Sequence, residues 1–433
     1  MRLVDSITLV TAVAALPQPR DQTQTFSVAV SPSSNDATGG RDFVRDWVAA
    51  HRKWGGGVSS QVMSALSTTD TGPDDGAGSG RVVANPLGRD DVYIANLAVG
   101  NPPQLIKLAV DTSSSDLWTE SIATVYTVNH NGPWAPRYRP NMSKTSTLLQ
   151  DAEWDIRYGD GTSADGVTYH DTVRLGTLRV DSATVKSARI IPASLENETG
   201  LSGVLGLSKP TSNSSSSITR LIREALVGSN GRPIITADLR HNASGRIDFG
   251  QVADDDSLSE DAIAWVPPVP SSSYWDVDFS TVGWHGSHGL WHDRDFRATV
   301  DTATTLLFLP QALAGLYWFD IPGMRVDPRL ENAYTFPCVL ADSLPDLLFK
   351  IPGSDKFVTV AGKYLNYGPV GSSTGKTTTS SIGDGDEDYC WGGMQGAKDL
   401  DVAVLGDMML KAVVVAFDLG SGAVGFANKT LGG

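Results

Sequence analysis

An Asp-Thr pair closing an apolar run occurs twice, as Val110-Asp111-Thr112-Ser113-Ser114-Ser115 and Val300-Asp301-Thr302-Ala303-Thr304-Thr305, about 190 positions apart. Each copy has an echo downstream. Val204-Leu205-Gly206 follows the first by about 95 residues, and Val404-Leu405-Gly406 follows the second by about 105. A single Asp-Thr pair says little; Asp171-Thr172 is another and is expected in a loop. A doubled long-period pattern says more. It predicts a chain built as two similar lobes, each bringing one carboxylate to their junction. Carboxylates that share a site cannot both ionise cheaply, so the same pattern predicts an acid–base dyad.

The 433 residues are enough for two lobes with separate cores. With 44 Gly, 23 Pro and 19% charged residues, many short strands and turns are favoured over long helices. Strands are expected at Val92–Val99, Leu105–Val110, Trp154–Tyr158, Trp275–Phe279, Arg297–Val300, Val413–Phe417 and Ala423–Phe426. Asp160-Gly161 after Trp154–Tyr158 reads as a hairpin turn. Helices are expected at Ile218–Leu226 and around Phe43, Val44, Trp47 and Val48, where apolar positions share one face. The start of the chain, Met1-Arg2 followed by the apolar Ile7–Leu16 and an Ala-Val-Ala pattern, reads as a signal peptide over residues 1–16. Residues 17–80 read as a removable pro-segment ending in the Ser67–Gly80 connector, and the lobes are expected at 81–262 and 263–433.

A net charge of -15 offers no basic stripe for phosphates, so nucleic acid is not an expected partner. No apolar run is long enough for a bilayer span, and no membrane anchor is expected. Cys338 and Cys390 are the only cysteines; a bridge between them suits a secreted chain, while a pair of separate buried thiols is the alternative. Sequons begin at Asn141, Asn197, Asn213, Asn242 and Asn428. His285, His288 and His292 lie in a Gly-rich stretch with no completing ligand pattern, so a hairpin is expected and no metal or other cofactor. Ser214–Ser217 has no Gly-x-Ser-x-Gly elbow and reads as a polar loop.

Taken in order, Val92–Trp118, Trp154–Gly166, Gly203–Leu207, Val300–Leu307, Phe336-Pro337-Cys338, Leu344-Pro345-Asp346 and Val404-Leu405-Gly406-Asp407 resemble the pepsin-type aspartic endopeptidases, the secreted fungal branch in particular. Phe26-Ser27-Val28 and His51-Arg52-Lys53-Trp54-Gly55 are similar to that family's pro-segment. The resemblance implies an all-β, bilobal, pepsin-like double β-barrel with a pseudo-twofold axis. It implies a monomeric, secreted acid peptidase made as a zymogen, which takes peptide substrates in the interlobe cleft. Asp111 and Asp301 would form the dyad, with Thr112 and Thr302 interlocked beneath it and Ser114 and Thr304 bonding the outer carboxylate oxygens. Tyr158, Gly159 and Asp160 would form a flap, with the Tyr158 hydroxyl near the Trp118 indole and Asp160 placed to accept a basic substrate side chain. Lys53 would block the cleft of the zymogen. Cys338 and Cys390 would form the second lobe's disulfide.

The family's pattern has Gly after each Asp-Thr or Asp-Ser, where this chain has Ser113 and Ala303. Glycine serves where φ is positive or where backbone must approach a ligand closely. The replacements leave a second reading open: a related cleft protein that binds peptides or a small molecule, or a biosynthetic enzyme that uses the dyad for acid–base chemistry.

Overall fold

The computed structural model describes residues 26–32, 42–55, 92–126, 135–157, 163–191, 195, 200–210, 217–229, 231–241, 243–252, 262–286, 290–370, 388–398 and 400–429. The signal peptide, the Ser67–Gly80 connector, the flap residues Tyr158, Gly159 and Asp160, and the sequons at Asn197, Asn213 and Asn242 lie outside the described residues.

The fold is all-β, as the composition and patterning predict. In the first half, Tyr93–Val99, Gln104–Asp111, Gly203–Gly206, Leu117–Glu120, Leu178–Ile190 and Ser163–Leu175 hydrogen-bond in that order. Ser163–Leu175 then pairs back onto Tyr93–Val99, which closes a barrel. Period-two alternation sets its inside: Tyr93, Ala95, Leu97 and Val99 are buried while Asn96 faces out. In the second half a sheet runs Phe357–Val360, Leu347–Lys350, Asp276–Gly283, Trp291–Val300, Ala403–Leu405, Leu307–Leu309, Met394–Gly396. The histidine-bearing stretch 284–290 joins two antiparallel strands of this sheet, as a hairpin should. Phe279 packs on Phe296, Phe349 and Phe426 in its core.

A third run of strands joins the halves. Ala264–Val266, Val424–Asn428, Val413–Asp418, Ile234–Arg240, Ala243–Phe249, Phe26–Pro32 and Tyr93–Val99 are consecutive neighbours in one sheet. The strand Phe26–Pro32 pairs antiparallel with Ala243–Phe249 on one side and with Tyr93–Val99 on the other. Sequence reading gave the helix near residues 43–48; helix α1 spans Phe43–Trp54. Asp42 caps it by accepting the Arg45 amide at 3.2 Å. Positions four and three apart then bury Phe43, Trp47, Ala50 and Trp54 on one face. Phe43 stacks on Trp391 with centroids 4.3 Å apart, and His51 stacks on Trp47 at 3.5 Å and meets Phe308 edge-on. The apolar face of α1 is therefore seated on the second half of the chain.

The expectation for Asp171-Thr172 is corrected. Both residues lie inside the strand Ser163–Leu175 and are buried. The Asp171 carboxylate accepts the hydroxyls of Tyr138 at 2.7 Å, Ser143 at 2.9 Å and Thr145 at 2.5 Å, which satisfies its charge without solvent.

Cys338 and Cys390 form a disulfide across 52 residues, next to the pairing of Ala333–Pro337 with Tyr389–Gly392. Loop entropy makes the Cys338→Ser/Cys390→Ser double variant less stable by about 4 kcal/mol. The check is a lowered urea midpoint, with a slope that rises as the unfolded chain loses its cross-link and exposes more surface.

Candidate active site

The doubled sequence pattern becomes a doubled backbone motif. Val204-Leu205-Gly206 runs parallel to Ala109-Val110-Asp111 and antiparallel to Leu117-Trp118-Thr119, so it is threaded between the arms of the first Asp loop. Val404 and Leu405 repeat this between Thr299-Val300 and Leu307-Phe308. Each glycine has a steric reason. A Cβ on Gly206 would sit 2.5 Å from the Ser114 carbonyl oxygen, and one on Gly406 would sit 2.2 Å from that of Thr304. No side chain fits there. The Leu207 amide donates to the Asp111 carbonyl at 2.7 Å and the Asp301 amide donates to the Leu405 carbonyl at 3.2 Å, fixing both loops.

The loops meet through their threonines. The Thr112 amide donates to Thr302 Oγ1 and the Thr302 amide to Thr112 Oγ1, each at 3.1 Å. Each hydroxyl passes its own proton to the opposite strand: Thr112 to the Val300 carbonyl at 2.9 Å and Thr302 to the Val110 carbonyl at 2.8 Å. Both residues are buried, so water cannot replace a lost partner. Thr302→Val is therefore expected to cost about 2–5 kcal/mol, because it strands a buried amide and a buried carbonyl. Chemical denaturation reads this loss, and a Thr302→Ser variant that keeps the hydroxyl should recover most of it.

Asp111 and Asp301 emerge above this crossing. Asp111 Oδ1 accepts the Ser113 amide at 2.9 Å and the Ser113 hydroxyl at 2.6 Å. Asp301 Oδ1 accepts the Ala303 amide at 3.0 Å, and its Oδ2 accepts the Thr304 hydroxyl. Thr304 therefore stands where the resemblance implies. Ser114 does not: its Oγ is buried without a hydrogen-bond partner, and the hydroxyl on Asp111 comes from Ser113 instead. Ser113 reaches the carboxylate first because its amide already points there, which brings its Cβ to the same oxygen. Neither Ser113 nor Ala303 has a positive φ, so a Cβ at these positions adds no left-handed strain.

Lys53, near the end of α1, sits between the carboxylates. Its ammonium lies 3.2 Å from Asp111 Oδ1, 3.2 Å from Asp301 Oδ1 and 2.9 Å from Asp301 Oδ2. The carboxylates are thus no farther apart than one ammonium can bridge. Trp54, which sequence reading did not single out for a role, donates its indole N–H to Asp301 Oδ2 at 3.3 Å and to Thr304 Oγ1 at 3.2 Å. Its ring meets Tyr274 edge-on.

The charges resolve unequally. Burial pushes Asp111 up, but the Lys53 ammonium and the Ser113 donors outweigh it and hold the group at about 2. Burial dominates at Asp301, whose carboxyl is raised despite Lys53, with Asp111 adding to the rise. The Lys53 ammonium is opposed by burial, yet the two carboxylates raise its pKa.

A cavity of about 330 Å³ opens beside Asp111, lined among others by Ser113, Trp118, Ile156, Lys209 and Tyr274. Trp118, on the wall of that cavity, is buried with Trp154, Ala164 and Ala188. Of the remaining sequons, Asn141 is exposed. Asn428 is exposed as well, but its amide already donates to the Phe357 carbonyl at 3.1 Å and accepts the Thr359 amide at 2.8 Å. No helix among the described residues is long and apolar enough to cross a membrane.

The chain is 30% identical to endothiapepsin of Cryphonectria parasitica over 380 residues, covering 87% of this chain and 84% of that protein. It is 32% identical to podosporapepsin of Podospora anserina over 360 residues, with 82% and 78% covered. Penicillopepsin-3 of Penicillium janthinellum is 30% identical over 383 residues, with 88% and 86% covered. The family profile described as eukaryotic aspartyl protease matches residues 92–429, a span that contains both Asp loops, both Val-Leu-Gly strands and the disulfide. By this match and by the interlocked loops that carry its carboxylates, the chain belongs to the eukaryotic aspartyl protease family.

Proposed function

We propose that this chain is the zymogen of a secreted endopeptidase that hydrolyses peptide bonds at acidic pH, with Asp111 and Asp301 as its catalytic pair. The single observation that carries the reading is the bridging of both carboxylates by one ammonium from the pro-segment, above a symmetric threonine crossing. Once Lys53 leaves, two carboxylates that close cannot both stay charged, and the pair retains one proton. The ionised member takes a proton from a bound water, and the protonated member donates to the scissile carbonyl oxygen. Water adds to the carbonyl carbon, and the proton taken from it goes to the leaving amine as the C–N bond breaks.

The lobes at 81–262 and 263–433 would form the walls of the substrate cleft, and the flap Tyr158-Gly159-Asp160 would cover it. The chain's own signal-like start supports secretion. The experiment is hydrolysis of denatured globin at about pH 3–5 by the matured protein, with and without pepstatin. Cleavage that pepstatin blocks supports the proposal. Pepstatin binding without cleavage would instead favour a cleft protein that has kept the fold and lost the reaction, a reading motivated by Ser113 and Ala303.

A further inference from the structure

The two Asp loops are alike in backbone and unlike in how they hold their carboxylates. On each aspartate, Oδ1 is the oxygen that accepts the amide two residues on and lies 3.2 Å from Lys53 Nζ. Lys53 Nζ lies closer still, at 2.9 Å, to Asp301 Oδ2, so what the two Oδ1 atoms share is the loop amide together with a contact to the ammonium. Asp111 Oδ1 accepts two donors from this chain's mature part, the Ser113 amide and, at 2.6 Å, the Ser113 hydroxyl. Asp301 Oδ1 accepts only the Ala303 amide, since Ala303 has no hydroxyl to add. The hydroxyl on Asp301 comes from Thr304 and lands on the other oxygen, Oδ2. A proton placed on Asp111 Oδ1 would have to displace one of two donors; on Asp301 Oδ1 it need not. With α1 in place, burial acts in the same direction, for the Asp301 side chain is fully enclosed whereas Asp111 keeps 12% exposure.

We propose that Ser113 is a positioning residue of the dyad, whose hydroxyl keeps the negative charge on Asp111 and leaves the shared proton with Asp301. This rests on the peptidase reading for its kinetic consequence, though not for the charge placement itself. Ser114 Oγ is buried without a hydrogen-bond partner, so of the two adjacent serines only Ser113 brings its hydroxyl to Asp111. The other charged groups near Asp111 are the same in every variant. Lys53 departs with the pro-segment. Asp116 on the cavity wall is paired with Lys186 at 2.9 Å, and Lys209 donates to the Val269 carbonyl at 3.2 Å.

The test compares the matured wild type with Ser113→Ala, Ser113→Thr and Ser114→Ala. The acid limb of the pH profile of kcat/KM reports the deprotonation that gives the pair its single charge. Losing one donor to that charge should move the limb upward by about one pH unit in Ser113→Ala. Ser113→Thr should restore it, and Ser114→Ala should not move it. A limb that stays within about 0.3 unit in Ser113→Ala, or that moves equally in Ser114→Ala, overturns the assignment. A wild type that cleaves nothing would sink the peptidase reading and leave this one to a direct titration. In Asp-carboxyl ¹³C spectra, with Asp111 assigned through Asp111→Asn, Ser113→Ala must raise the Asp111 midpoint and narrow its separation from Asp301. Unchanged midpoints refute the proposal whatever the activity.

Discussion

Asp111→Asn and Asp301→Asn are each expected to lower kcat/KM for an unfolded protein substrate at acid pH by about 10³-fold or more. The side chains are isosteric, so the threonine crossing beneath them is untouched and the fold should survive. The carboxamide cannot accept a proton from water, and it cannot share one with its neighbour. At Asp111 the change also turns an acceptor of two donors into a group that can present a donor to the Ser113 amide. Initial rates with denatured globin, alongside a urea midpoint to confirm folding, decide the matter. Strong hydrolysis by either variant removes that aspartate from the mechanism.

Lys53→Leu should convert the full-length chain from latent to active near neutral pH. If the chain is the zymogen proposed above, the lock in the wild type is electrostatic, and its pH dependence follows from the directions of the shifts. Asp111 is held down at about 2, so its contact with Lys53 stabilises the pro-form above the ordinary carboxylate value and is lost as pH falls toward that lower one. Asp301 is raised, so it takes a proton first on acidification and Lys53 loses that partner before the other. The raised pKa of Lys53 itself matters only on the alkaline side, where its contribution disappears as pH climbs through the folded value. The lock therefore holds through neutrality and opens in acid. Leucine removes the cation and leaves two buried carboxylates facing each other, a cost of about 3–5 kcal/mol to the closed state. Substrate hydrolysis by freshly purified full-length Lys53→Leu at about pH 6 should exceed wild type by about 10²-fold or more. Equal latency in the two proteins would show that Lys53 is a passenger and that the apolar face of α1 does the holding.

Legibility in the sequence followed physical range. Asp111, Asp301, Thr112 and Thr302 could be found because the symmetric crossing needs the same local residues twice, and a repeat survives in one dimension. The glycines of Val204-Leu205-Gly206 and Val404-Leu405-Gly406 were visible as repeats, but their reason, backbone carbonyls within 2.5 Å of any Cβ, needs coordinates. Strand positions were readable from alternation and helix α1 only in part, because its last turn is held by packing of His51 and Trp54 on residues far along the chain. Ser113 and Ser114 show the limit. Adjacent hydroxyls of the same residue type differ only in direction, and direction decided which one meets Asp111. Asp171 was expected in a loop because nothing beside it in the chain marks its burial, and its hydroxyl partners come from Tyr138, Ser143 and Thr145.

The strand Phe26–Pro32 is a central member of the sheet that spans both halves, flanked on both edges. Its departure would open a trough one chain wide, rimmed by unsatisfied amides and carbonyls of Tyr93–Val99 and Ala243–Phe249. Under the proposed zymogen reading, maturation would then be an act of reconstruction as well as excision: whatever extended segment next lies down in that trough repairs the floor beneath the cleft. An enzyme stripped of its leader with nothing to lay there would be prone to recruit a stranger's strand.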